Sequence, residues 1–263
     1  MSILDDLRLD GKVALVTGGG RGIGEGIAAG LAEAGADVAL VSRTSADLER
    51  VAERVRALGR RAIVILADVS DLEAIPRVVD KVVDGLGGLD ILANVAGVTL
   101  RKPVLDASPA DWDYIMNTNL RAVYFMSQAA GRVMAAQHHG KIINITSMAA
   151  LRGFEELSLY GMSKAAVGLL TKVLGVEWAP HNIQVNGIAP GWIATAMTAS
   201  RVNTPEWRVR WVEEQVPQGR FGKPKDVAGV ALFLASAASD FCTGQVFAMD
   251  GGFSAGNPDP EKI

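Results

Sequence analysis

The stretch that most narrows what this chain can fold into is VALVTGGGRGIG, residues 13–24. Val13-Ala14-Leu15-Val16 is a short aliphatic and β-branched run that reads as a buried strand. Beyond the glycines, Ile27, Ala28, Leu31 and Ala34 recur at helical spacing up to Gly35, a C-terminal stop. Between strand and helix lies Thr17-Gly18-Gly19-Gly20-Arg21-Gly22-Ile23-Gly24. In that context glycines have separate uses: Gly18 permits a tight turn, Gly22 lets a pyrophosphate approach the backbone, and Gly24 lets the helix pack against the strand. The helix beginning near Ile23 presents free N–H groups and a positive dipole end to the same phosphates. The competing reading is a merely flexible turn, and the flanking strand and helix favour the nucleotide. No Gly-Lys-Ser/Thr follows, which argues against a nucleoside-triphosphate loop.

The same cadence repeats along the chain. Aliphatic runs at Asp37–Val41, Ala62–Leu66, Leu89–Ala93, Lys141–Ile145, Ile183–Ile188 and Gln245–Met249 alternate with helical periodicity. One helix starts after Ser108, with Ser108 as N-cap and Pro109 in its first turn, and runs to His138-His139-Gly140. Unbroken alternation predicts an α/β fold: one domain over residues 1–263, a Rossmann-like doubly wound parallel sheet of about seven strands with helices on both faces. A chain of 263 residues that is 49% hydrophobic can bury the core such a sheet needs. Residues 192–221 are a candidate substrate lid, because Ala196 to Phe221 looks inserted and carries Trp207 and Trp211. An ordinary amphipathic surface helix fits the same pattern.

Other classes are disfavoured. The net charge is -3 with both signs interleaved, so neither nucleic acid nor an anionic membrane is an expected partner. The acidic N-terminus lacks the apolar core of a secretory signal, and no apolar run approaches the ~18 residues that span a bilayer. Cys242 is the lone cysteine, and the three histidines, His138, His139 and His181, lack ligand spacing, so no metal is expected. These features predict a cytoplasmic protein.

The strand ends carry the candidate chemistry. A site for NAD usually places an acid about 20 residues past the glycines to hold the ribose 2′-hydroxyl. Here stand Ser42 and Arg43, which suit a 2′-phosphate, and Arg21 adds a second cation, so NADP(H) is favoured and NAD(H) possible. The competing reading of Arg43 is a side chain that merely solvates the start of the next helix. At the third strand's end Asp68, followed by Val69, could accept from adenine or cap a helix. Asn94, Ala96 and Gly97 close the fourth strand with small residues that leave room for a ligand.

Ser147 follows the run Ile142-Ile143-Asn144-Ile145, and thirteen positions later come Tyr160 and Lys164, one helical turn apart. An ammonium beside a phenol favours the phenolate. Hydroxyl, phenol and ammonium together make a proton-handling site for an alcohol or carbonyl. Taken alone, Tyr-x-x-x-Lys occurs by chance in many helices. Asn119 is either surface polarity or a buried amide with a task.

Taken in order, Thr17-Gly18-x-x-x-Gly22-Ile23-Gly24, Asp68-Val69, Asn94-x-Ala96-Gly97, Asn119, Ser147, Tyr160-x-x-x-Lys164 and Pro190-Gly191 resemble the short-chain dehydrogenase/reductases from about Leu9 to Phe253. Val95 departs from the family's usual asparagine, for which a small structural effect is expected. The resemblance implies a catalytic set. Tyr160 is the general acid or base, Lys164 lowers its pKa and binds the nicotinamide ribose, Ser147 bonds the substrate oxygen, and Asn119 holds a relay water. It also implies cofactor contacts from Pro190, Gly191, Ile193 and Thr195, and a homotetramer built on the helices of Asn119 and Tyr160. Ala149–Leu157 and Trp192–Trp211 would line the substrate pocket. Arg152 and Arg101-Lys102 are candidates for a carboxylate, Glu155 or Glu156 for sugar hydroxyls, and all of these could instead face solvent. The chain looks closest to members acting on keto-sugar acids or polyols. A 3-oxoacyl-thioester reductase is the alternative within the class, and a non-catalytic dinucleotide sensor the alternative outside it.

Overall fold

Every aliphatic run expected as a strand is one in the structure, a computed structural model that describes residues 2–195 and 206–256. The strands are β1 (Val13–Thr17), β2 (Asp37–Ser42), β3 (Ala62–Leu66), β4 (Ile91–Asn94), β5 (Gly140–Ile145), β6 (Ile183–Pro190) and β7 (Val246–Met249). They form one sheet in the order β3-β2-β1-β4-β5-β6-β7, and all six pairings are parallel. Every strand therefore ends on the same edge, and the order reverses beside β1. In open parallel sheets the crevice at that reversal is where ligands bind.

The helices are α1 (Gly22–Glu33), α2 (Ser45–Ala57), α3 (Ala74–Leu86), α4 (Pro109–Met116), α5 (Ala122–Gln137), α6 (Ser158–Glu177), α7 (Glu206–Gln215) and α8 (Pro224–Ala235). The inner strands β1, β2, β4, β5 and β6 are buried on both faces, as parallel sheets require, while the edge strands β3 and β7 are partly open. Alternate residues feed two separate layers. Ala14, Val16, Val38 and Leu40 pack with Ile27, Leu31, Val51 and Val227 from α1, α2 and α8. Val13, Leu15, Ala39 and Val41 pack with Val78, Val82, Met126 and Leu174 from α3, α5 and α6.

The helix ends follow local chemistry. Ser108 and Asp111 make a reciprocal capping box, and Gly87 closes α3 at φ +92. The helix expected from Ser108 to His138 runs without a break from α4 into α5, passing through a wide π turn over Asn117–Arg121. Of the candidate lid, residues 196–205 lie outside the described residues. Its two ends are held together, because the Ala194 N–H donates to the Gly222 carbonyl at 2.8 Å and the Gly222 N–H to that of Trp192 at 2.9 Å. Val212 and Val216 then join Met148 and Phe253 in a small satellite core. Among the described residues no helix is long and apolar enough to cross a membrane.

Candidate active site

The glycine turn sits where β1 meets α1. The Thr17 hydroxyl accepts from the N–H groups of Val95 (3.0 Å) and Ala96 (3.2 Å), tying the ends of β1 and β4 together. Gly18 has φ +66, and a Cβ there would stand 3.0 Å from the Ala96 backbone. A Cβ on Gly24 would run into the Gly18 carbonyl, so α1 packs against the turn only because Gly24 lacks a side chain. The result is a cleft walled by Gly18, Gly20, Arg21, Gly22, Ile23 and Gly24. One end is closed by Ser42, Arg43, Thr44, Asp47, Asp68 and Val69, the other by Ala96, Gly97, Thr118, Tyr160, Lys164 and Thr195. A glycine-lined trough leading from a helix N-terminus to a phenol and a lysine fits a dinucleotide, whose phosphates need bare backbone.

At the first end, Arg43 is exposed, with Nη1 3.7 Å from an Asp68 carboxylate oxygen. The other Asp68 oxygen accepts from the Ser70 N–H (2.9 Å) and hydroxyl (2.7 Å), so Asp68 closes a local turn and does not cap α3, whose N-cap is Glu73. Burial works against ionisation here, yet the Ser70 bonds and Arg43 hold the Asp68 carboxyl below its usual range. Asp47 also lines this end and was not singled out from the sequence. Its signal is faint, an acid in the first turn of α2 pressed toward Gly20, where a Cβ would stand 2.9 Å from its own.

At the other end, α6 carries Tyr160 and Lys164 on one face. Lys164 is buried, its Nζ donates to the Ile145 carbonyl at 2.8 Å, and burial lowers its pKa to about 8. Ser147, just past β5, accepts from the Ala149 N–H at 3.1 Å and lies close enough to Tyr160 to act on the phenol. Tyr160 keeps part of its surface in the cleft. Burial raises the phenol pKa above its ordinary value, and the Ser147 hydroxyl only partly opposes it. The expected lowering by Lys164 is not what the protein alone displays, because desolvation dominates and the ammonium is aimed at Ile145.

Asn119 lies in the π turn and is fully buried. Its Oδ1 accepts from the Val98 N–H (2.8 Å), and its Nδ2 donates to the Val98 carbonyl (2.9 Å) and the Ser163 hydroxyl (3.2 Å). Ser163 in turn donates to the Tyr160 carbonyl at 2.7 Å. A Cβ at Gly97 would lie 3.2 Å from Asn119 Oδ1 and 3.5 Å from Lys164 Nζ, so both groups border the same small space.

Four expected cofactor contacts stand behind the wall of the cleft. Asn94 is buried, and its Nδ2 donates to the Ser127 hydroxyl (3.0 Å) and to Asn144 Oδ1 (2.9 Å). Asn144 continues to the Thr171 hydroxyl at 3.0 Å, completing a polar ladder through the sheet between α5 and α6. Pro190 ends β6, while the Gly191 N–H donates to Met249 at 2.9 Å and a Cβ at Gly191 would stand 2.6 Å from that of Asp250. These two hold β6 against β7. Ile193 is buried and paired with Gly222. Of the charges considered for substrate, Lys102 is committed to Asp111 at 2.7 Å. The guanidinium of Arg101 lies 3.9 Å from the Glu156 carboxylate, and Arg152 lies 5.1 Å over the Phe253 ring.

Comparison with known proteins agrees with this geometry. A family model described as enoyl-(acyl carrier protein) reductase matches residues 18–254. A 2-dehydro-3-deoxy-D-gluconate 5-dehydrogenase of Dickeya dadantii is 43% identical over 254 residues, covering 96% of this chain and 99% of the relative. The gluconate 5-dehydrogenase of Gluconobacter oxydans is 40% identical, covering 97% and 99%. The crystal structure of a gluconate 5-dehydrogenase from Burkholderia cenocepacia, in complex with NADP and tartrate, superposes with a TM-score of 0.92 at 39% identity, covering 97% of this chain and 100% of that one.

Proposed function

The chain belongs to the short-chain dehydrogenase/reductase family, and from that premise we propose that it interconverts a secondary alcohol and a ketone on a keto-sugar acid or polyol. It is an enzyme, an oxidoreductase; relatives across nearly its full length are dehydrogenases and reductases, which sets the non-catalytic sensor aside. NADP(H) is the favoured cofactor and NAD(H) a possible one. The observation that carries the proposal is the meeting of Tyr160, Lys164 and the glycine turn in one cleft, with Ser147 against the phenol.

The nicotinamide, when bound, supplies or accepts the hydride. The protein supplies position and the proton. A tyrosine phenol ordinarily ionises at pH ~10 and burial pushes Tyr160 higher still, so it is ready to donate to a ketone oxygen, which suits reduction. The Ser147 hydroxyl holds that oxygen. Lys164, with a pKa of about 8, can return the proton to Tyr160 near neutrality. The second lone pair of Asn119 Oδ1 faces the space beside Lys164 Nζ and suits a relay water. Arg101 or Arg152 would meet the substrate carboxylate. Exposed Tyr124 and Phe125 on α5 and Leu169, Val173 and Val176 on α6 support a homotetramer formed through these helices. A cytoplasmic location, where pyridine nucleotide is replenished, belongs to the same reading.

A cofactor-coupled screen over aldonates, polyols, cyclic ketones and acyl thioesters tests this reading. Turnover of keto-aldonates or polyols is expected. Turnover of 3-oxoacyl thioesters without them would overturn the sugar-acid assignment, and no turnover linked to either cofactor would overturn the reaction itself.

A further inference from the structure

We propose that Arg50, on α2 and outside the cleft, is a positioning residue that sets the phosphate-binding face of the glycine turn. The inference rests on the cofactor assignment above. Arg50 Nη2 donates to the Gly20 carbonyl at 3.0 Å. The same guanidinium forks onto both carboxylate oxygens of Glu25, at 2.7 and 2.9 Å. A trans peptide points its C=O and N–H in opposite directions, so pinning the Gly20 carbonyl toward α2 turns the Arg21 N–H the other way. Gly20 and Arg21 both line the cleft, and the Arg21 N–H has no hydrogen-bond partner among the described residues. A free N–H at the entrance to α1 is the donor that a pyrophosphate oxygen takes up.

The fork has a second consequence. Glu25 lies in the first turn of α1, where a carboxylate suits the helix dipole but repels an incoming phosphate. Arg50, joined by Arg54 at 2.6 Å, neutralises it and holds its pKa below the ordinary range. Arg54 touches Glu25 but not the Gly20 carbonyl, so nature has placed a control one helical turn away.

The test is titration calorimetry of the full chain with NADP, NAD and ADP as probes. Arg50→Met is expected to weaken all three by about tenfold and to leave the NADP-to-NAD ratio unchanged, since the turn is read by the shared pyrophosphate. Arg50→Lys should recover part of the loss, because an ammonium still reaches the Gly20 carbonyl. Arg54→Met should bind within about twofold of wild type. The proposal is overturned if Arg50→Met or, should that chain not fold, Arg50→Gln binds ADP as wild type does, or if Arg54→Met loses as much as the Arg50 variant. Wild-type protein that binds none of the probes would overturn the cofactor assignment instead.

Discussion

The two ends of the cleft are built from different materials. Around β1 and β2 the surface is bare backbone, shaped by Gly18, Gly22 and Gly24 and dressed with exposed charges such as Arg43. Around β4, β5 and α6 it is polar side chain, buried and mutually bonded. The ladder Ser127–Asn94–Asn144–Thr171 lies beneath, Asn119 and Ser163 are bonded to each other behind the wall, and Lys164 lines the cleft. An exposed charge exchanges with water at little cost, whereas a buried polar group left without its partner carries the full desolvation penalty. Substitutions at the first end should therefore retune preference, and substitutions at the second should abolish chemistry or stability.

The sharpest way to break this contrast is Tyr160→Phe. Removing the phenolic hydroxyl should cut turnover by about a thousandfold or more while the NADP dissociation constant stays near wild type. Retained activity in stopped assays at saturating cofactor would show that another group moves the proton. Next comes Asn144→Leu, of similar shape, which takes one buried partner each from Asn94 on β4 and Thr171 on α6. It should cost about 3 kcal/mol in denaturant unfolding, and a loss under about 1 kcal/mol would mean the ladder is dispensable.

Lys164 offers a test with a sign. Its folded pKa of about 8 lies below the ordinary 10.5, so the folded protein binds fewer protons than the unfolded chain between those values. Stability therefore rises with pH across that window, and below it the buried charge costs on the order of 3 kcal/mol, partly offset by the bond to Ile145. Lys164→Met should be more stable than wild type at pH 7 by about 1–2 kcal/mol. The difference should close as pH approaches 10.5, and parallel stability curves for the two proteins would refute the assignment. The smallest effect belongs to the first end. Arg43→Ala should lower the ratio of NADP to NAD affinity by about tenfold, at no measurable cost in melting temperature. An unchanged ratio would remove Arg43 from cofactor choice.

The same division explains what the sequence reveals. Strands, glycine turn and helix stops are local patterns, and the seven-stranded sheet follows from them. Tyr160 and Lys164 are readable because helical spacing is local too. Contacts across distance are not. Nothing in Asn117-Thr118-Asn119-Leu120-Arg121 announces a π turn, and Asn94 looks like a ligand contact until Asn144 and Ser127 are seen to hold it. Ser108 reads as a cap, but its partner Asp111 and the Lys102 that joins them do not, so a lysine considered for substrate turns out to serve a helix start. The Tyr160 phenol is a similar case. Sequence shows the cation four residues away and not the burial that raises the phenol's pKa.

The paired strands of backbone at Trp192, Ala194 and Gly222 bear on how such an enzyme changes its diet. The chain leaves the sheet and comes back at a single stapled point, next to Thr195 on the cleft wall. What is threaded between those feet can change in length or be swapped for another enzyme's segment only if the newcomer keeps the apolar footing that Val212 and Val216 find on Met148, the neighbour of Ser147. New appetites would thus be acquired by splicing at one seam, provided that footing is carried along.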